Sequence, residues 1–127
     1  GWRLFPGSEN TMANKKALEF LKREDVDGFN KWVKERRKKG KDSLDLDDQN
    51  LSGLELRNVD LRDAHLNGTI LRKANLRGAN LKHARLRQAD LRGADLREAD
   101  LTDADLRRAQ LKGAEFKKAT VKGARGL

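Results

Sequence analysis

From residue 46 to residue 121 a large apolar side chain stands at every fifth position: Leu46, Leu51, Leu56, Leu61, Leu66, Leu71, Leu76, Leu81, Leu86, Leu91, Leu96, Leu101, Leu106, Leu111, Phe116 and Val121. A helix cannot use that spacing. At about 100° per residue, positions five apart lie about 140° from one another, so the side chains spiral around the cylinder instead of forming a stripe. A short extended wall can use it. In "ADLRE", residues 94 to 98, Ala94, Asp95 and Leu96 alternate in, out, in, and Arg97 and Glu98 turn the chain before Ala99 begins the next unit. If each corner turns the chain by about a right angle, four units close a square coil of twenty residues, and the next coil stacks about 4.8 Å above it with parallel pairing. The sixteen units make four coils and predict an all-β solenoid on the order of 19 Å tall.

Numbering each unit one to five, with the large apolar residue at position three, position one is alanine at 64, 74, 79, 84, 89, 94, 99, 104, 109, 114, 119 and 124, where a small side chain suits the corner of a narrow core. Position five is glycine at Gly53, Gly68, Gly78, Gly93, Gly113 and Gly123, where the turn asks for a permissive backbone. This A(D/N)LXX pattern, clearest in "ANLRGANL" at 74 to 81 and "ADLRGADL" at 89 to 96, resembles that of the pentapeptide repeat proteins. The resemblance implies a right-handed quadrilateral parallel β-helix over residues 44 to 127, and the handedness comes from it alone. It implies no catalytic residues.

With 36% hydrophobic and 39% charged residues an ordinary globular core would be hard to build, but a solenoid needs only two inward residues in five. The absence of cysteine excludes disulfides, thiolate metal sites and thiol nucleophiles. No apolar run approaches membrane-spanning length, and the expected compartment is the cytoplasm.

Residues 1 to 11 precede Met12, the one methionine, and read as a leader left over from expression. From 12 to 43 the spacing is helical: Ala17, Leu18, Phe20 and Leu21 in one segment, Val26, Phe29, Trp32 and Val33 in the next. "REDVDG" at 23 to 28 reads as the break, with Asp25 or Asp27 able to cap the second helix. Two short amphipathic helices need something to cover. The first coil, with Leu44, Gln49, Leu54 and Val59 at position one, offers a broad apolar end, so the segment is assigned as a helical N-terminal cap whose apolar contacts come from Leu18, Leu21, Phe29, Trp32 and Val33. The basic run "RRKKGK" at 36 to 41 is read as the last turn of that helix, where cations complement the dipole, with Gly40 as its stop.

Function must then lie on the outward positions. The chain carries a formal net charge of +9, and along the rod the charge is banded: residues 44 to 63 are net −4, 64 to 83 net +4, 84 to 103 net −1 and 104 to 123 net +4. Position four aligns cations into ladders, Arg72, Arg92 and Lys112 on one wall and Arg57, Arg77, Arg97 and Lys117 on the next, and these seven are the candidate partner-binding residues. Like charges one coil apart repel, which invites an anionic partner, although neighbours such as Asp90 and Asp95 can also compensate them. His65 and His83 fall on different walls, so they form neither a metal pair nor an acid–base couple, and flat walls offer no cleft.

The reading is therefore a non-enzymatic scaffold with no cofactor, no metal and no membrane, presenting a rigid charged surface to a protein. Direct electrostatic binding of nucleic acid is the alternative, favoured by a pI near 10.1 and opposed by the lack of an exposed aromatic to stack on a base. Mimicry of DNA toward gyrase, known for some pentapeptide repeat proteins, needs an extended acidic surface that this rod lacks. The last coil, ending in "KGARGL", is left uncovered unless Leu127 folds over it, a second copy meets it in an end-to-end homodimer, or the sequence is cut short there.

Overall fold

The structure, a computed structural model, describes residues 8–41 and 43–127. Two helices, α1 (Ser8–Lys22) and α2 (Val26–Lys38), precede a coil that winds to the last residue. Residues 1 to 7 of the expected leader lie outside the described residues, and α1 already includes residues 8 to 11.

Between helices, Glu24 adopts a left-handed φ of 58° and Asp25 accepts a hydrogen bond from the amide of Gly28 at 2.9 Å, so Asp25 and not Asp27 is the cap of α2. At the other end the amides of Gly40 and Lys41 donate to the carbonyls of Arg37 and Arg36, both at 2.9 Å, with Gly40 at φ 77°. That pair of bonds ends the helix where the basic run suggested. Trp32 packs beside Phe20 and Phe29, with ring centroids 5.9 and 6.0 Å apart, and the Arg36 guanidinium lies 5.2 Å from the Trp32 ring centroid. Ala17, Leu21 and Phe29 are fully buried, Val33 nearly so, and Leu18 and Trp32 are half-buried against the same core. The first coil is engaged by polar contacts as well. Asn30 donates to the Asn58 carbonyl (3.0 Å) and accepts from the Asp60 amide (2.8 Å), the Glu55 amide donates to Glu24 (2.6 Å), and Arg37 forks onto Asp60 through Nη1 and Nη2 at 2.5 and 3.0 Å.

From residue 44 the chain repeats every twenty residues. Thirteen parallel bridges join each position-two residue to the one a coil above, from Asp45 with His65 to Asp105 with Arg125. Each wall contributes one bridge residue and no extended strand, because a corner follows every third residue and a longer ladder cannot form. Hydrogen bonding is nonetheless continuous: the Leu46 amide donates up to the His65 carbonyl (2.7 Å), and the His65 amide donates down to the Leu44 carbonyl (2.8 Å).

The corners explain positions five and one. The amide of Ala74 donates to the carbonyl of Leu71 at 3.1 Å, and Lys73 between them has φ 56°, the positive value that the third residue of a type II turn needs. Position five has positive φ in all sixteen units, and ten of these residues are not glycine. Glycine is thus less necessary than the sequence reading supposed. From Asp48 to Asp103 the amide of each such residue is held by the coil above, as Asp48 is by the Asn67 carbonyl at 2.9 Å, and a backbone fixed from both sides tolerates the strain; Arg108 and Lys118, in the last coil, adopt the same turn with no such bond among the described residues.

The interior holds the position-three leucines from Leu46 to Leu106 and the position-one alanines, all at 2% exposure or less up to Ala104. Expected core members Leu111 and Phe116 are only half-buried, and Val121 is 44% exposed, since no coil stacks on them within the described chain. Leu127 is 56% exposed and does not close that end.

Candidate functional site

Position two carries the acid or amide of the repeat, and its first task is local. The amide of position four in the same unit points outward with no partner in the ladder. Position two supplies one: Asn75 accepts from the Arg77 amide (3.1 Å), Asn80 from Lys82 (3.1 Å), Asp95 from Arg97 (3.1 Å), Asp100 from Thr102 (3.0 Å) and Asp105 from Arg107 (3.2 Å). An Asp or Asn bonding two residues onward is an Asx turn, which accounts for the residue type without any partner.

The same carboxylates hold the arginines. On the wall of units 49, 69, 89 and 109, here the second wall, Arg92 forks onto Asp90 at 2.8 and 2.7 Å, with Arg72 at 3.8 Å from the same carboxylate. On the third wall, of units 54, 74, 94 and 114, Arg97 forks onto Asp95 at 2.8 and 2.6 Å, and Arg77 reaches up to Glu98 at 2.6 Å because its own unit offers the uncharged Asn75. Four of the seven candidate residues, Arg72, Arg77, Arg92 and Arg97, therefore have acidic partners within the chain. The other three, Arg57, Lys112 and Lys117, are exposed and make no ion pair among the described residues. The two ladders exist as columns, but they are mixed in sign. Hydrogen bonds from Arg92 hold Asp90 below the usual carboxylate range, those from Arg97 lower Asp95 to about 2, and the Arg77 bond lowers Glu98.

The first wall, of units 44, 64, 84 and 104, differs. Asp105, 7% exposed, receives Arg107 bidentately at 2.9 and 2.8 Å, Arg87 at 3.1 Å and Arg125 at 3.6 Å, and the Arg107 bonds press its carboxyl well below the usual range. Arg85 and Arg108 stand alongside, exposed and without an ion pair among the described residues. The sequence reading missed this cluster because it sorted charge by coil and followed position four on two walls only. Following the first wall in the same register would have found it: Asp47, Asn67, Arg87 and Arg107 form its position-four column. His65 lies in the position-two column of this wall, while His83 is on the fourth wall, 3.8 Å from Asp103. Among the described residues no group of three or more His, Cys, Asp or Glu gathers at a potential metal site.

The model of the pentapeptide repeats matches residues 45–78, 55–93 and 89–125, in eight copies. The chain belongs to the pentapeptide repeat family. Among solved structures it is similar to the pentapeptide repeat protein Rfr23 from the cyanobacterium Cyanothece 51142, with 36% identity and a TM-score of 0.61 over 65% of this chain and 58% of that one. It is also similar to HetL from Nostoc sp. strain PCC 7120, a pentapeptide repeat protein involved in heterocyst differentiation regulation (38%, TM-score 0.62, 66% of this chain and 40% of that one). A third is alr5209 from Nostoc PCC 7120 (43%, TM-score 0.59, 68% of this chain and 74% of that one). The chain thus spans only part of the first two. No curated protein matches it. These pentapeptide repeat relatives imply the right-handed quadrilateral β-helix for residues 44 to 127.

The depressed carboxylates of this pentapeptide rod have a consequence for acid stability. An aspartate titrates near 3.9 in an unfolded chain and Asp95 titrates at about 2 in the folded one, so its pairing stabilises the fold above about pH 4 and is lost as the pH falls toward 2. We expect Tm, followed by circular dichroism, to be flat from pH 7 to 5 and to fall steadily between pH 4 and 2. Asp95→Asn should start lower at pH 7 and fall less across that window. A wild-type Tm unchanged from pH 4 to 2 would contradict the assigned pairing.

Proposed function

We propose that this chain is a non-enzymatic pentapeptide repeat scaffold whose rigid charged surface binds another protein, with α1 and α2 serving as the cap on the first coil. The observation that carries the reading is the clamping of arginines on the second and third walls, where Arg92 and Arg97 are each forked onto the aspartate two residues before them. Clamped pairs present both signs of charge in fixed positions, so a partner meets little ordering cost, and a mixed-sign surface complements another protein surface better than it complements a polyanion. Arg57, Arg72, Arg77, Arg92, Arg97, Lys112 and Lys117 are the contact residues of this reading. HetL, a similar rod involved in the regulation of heterocyst differentiation, is in the kind of process that a binding scaffold serves. No helix among the described residues is long and apolar enough to cross a membrane, and we place the scaffold in the cytoplasm.

Nucleic-acid binding is the second reading, favoured by the overall charge of +9. Fluorescence anisotropy of labelled duplex DNA and RNA at two salt concentrations separates the two, using wild type and a variant with Arg72, Arg77, Arg92 and Arg97 changed to glutamine. The scaffold reading expects duplex binding no tighter than about 10⁻⁶ M at physiological salt, unchanged in the variant. Affinity far tighter than that, lost in the variant, would replace it with the nucleic-acid reading.

A further inference from the structure

We propose that the arginine cluster of the first wall is a binding notch for a compact, multiply charged phosphoryl group. This goes beyond the scaffold reading, which concerns the second and third walls. Two open recesses of about 400 and 410 Å³ meet there and share Arg87 and Arg107. The first is lined by Arg87, Gln88, Arg107 and Arg108; the second adds Arg85, Arg125, Asp103, Asp105, Asn67 and His83. Five arginines against two aspartates leave the notch with an excess of three positive charges.

The donor inventory points the same way. A guanidinium carries five N–H donors and a carboxylate offers about four lone-pair sites, so Asp105 cannot satisfy Arg87, Arg107 and Arg125 together. Arg125 is held at ion-pair distance only, 3.6 Å, and Arg85 and Arg108 have no acidic partner among the described residues. Arg87 and Arg107 occupy one column on successive coils, about 4.8 Å apart in backbone spacing, where like charges repel unless an anion lies between them. Asp105 supplies one negative charge. On the second wall Asp90 faces Arg92 and, at 3.8 Å, Arg72, and on the third Arg97 and Arg77 each have a carboxylate of their own; on the first wall three arginines converge on Asp105.

The ligand's shape follows from the rest of the wall. A flat carboxylate brings one charge and two oxygens, whereas a phosphoryl group brings up to two charges and three oxygens, enough to bridge guanidiniums from two coils. An extended polyanion is excluded along the axis, because the same wall carries Asp45, Asp47 and Asp48 on its first coil. Around the circumference it meets the closed pairs at Asp90 and Asp95. The notch is a point and not a track.

The test is titration calorimetry of the full chain with sodium tripolyphosphate at physiological ionic strength, with a parallel arm comparing a phosphoserine peptide with its unphosphorylated form. We expect wild type to bind tripolyphosphate with Kd on the order of 10⁻⁴ M or tighter. Arg85→Gln with Arg108→Gln, which leaves every Asp105 contact in place, should weaken binding at least about tenfold, and Arg87→Gln should do so as well. The charge-matched pair Arg92→Gln with Arg97→Gln should change it by less than about twofold. Equal losses in both double variants would reduce the effect to net charge and overturn the notch, as would no binding by wild type. Within a positive result, preference for the phosphopeptide assigns the phosphoryl group to a modified protein, and preference for tripolyphosphate assigns it to a free polyphosphate.

Discussion

Leu76→Ala is expected to cost about 3 to 5 kcal/mol, the upper part of the range for a buried leucine, and to do so without abolishing the coils on either side. Leu76 is fully buried in the middle of the rod, one coil above Leu56 and one below Leu96 on the same wall. The cost of such a truncation depends on how far the surroundings collapse into the hole. Here they cannot move far. The Leu76 amide is bonded to the Asp95 carbonyl at 2.8 Å and the Asn75 amide to the Leu54 carbonyl at 2.9 Å, so the main chain keeps its spacing whatever the side chain does. Because each coil touches only its neighbours, the loss should be local. Urea unfolding measures the total, and amide hydrogen exchange measures where protection falls. A loss below about 1 kcal/mol, or uniform loss of protection along the rod, would contradict a rigid column of leucines.

Phe29→Ala is expected to cost a similar amount, about 3 to 5 kcal/mol, with a different distribution. Phe29 is fully buried, lies beside Trp32 and sits on the helix whose Asn30 and Arg37 reach the Asn58 carbonyl and Asp60. If α1 and α2 cover the end of the first coil, their loosening should remove protection from the amides of residues 46 to 61 and spare those beyond residue 80. Tryptophan fluorescence should report exposure of Trp32 before the rod's circular dichroism changes. Retention of first-coil protection in Phe29→Ala would mean that the helices are an appendage and not a cap.

Much of this architecture is legible in the residues because the period itself has few solutions. An inward leucine every fifth residue, with alanine two before it, can be satisfied only where walls of three residues alternate with corners, and that geometry then dictates which residues share a column. The helix ends are equally legible: Asp25 and Gly40 are residue types whose local hydrogen bonding favours those places. Position five was less legible. Glycine marks six of the turns, but Lys73, His83 and Gln88 adopt the same left-handed backbone, because the bond from each amide to the next coil is a tertiary contact that no local preference records.

The candidate surface divides along the same line. The five-residue period by itself determined the alternation of walls and corners in a solenoid, and the bridges between residues twenty apart set four walls to a coil and so the column in which Arg57, Arg77, Arg97 and Lys117 stand. Only the tertiary structure decided which of those cations are engaged. Arg97 turns back to Asp95 in its own unit, Arg77 reaches forward to Glu98 a coil above, and Arg87, Arg107 and Arg125 converge on Asp105. Each choice depends on whether a carboxylate lies within reach of a long, rotatable side chain, either beside it in sequence or stacked one coil away. That distance is set by the winding of the chain and not by the order of its residues.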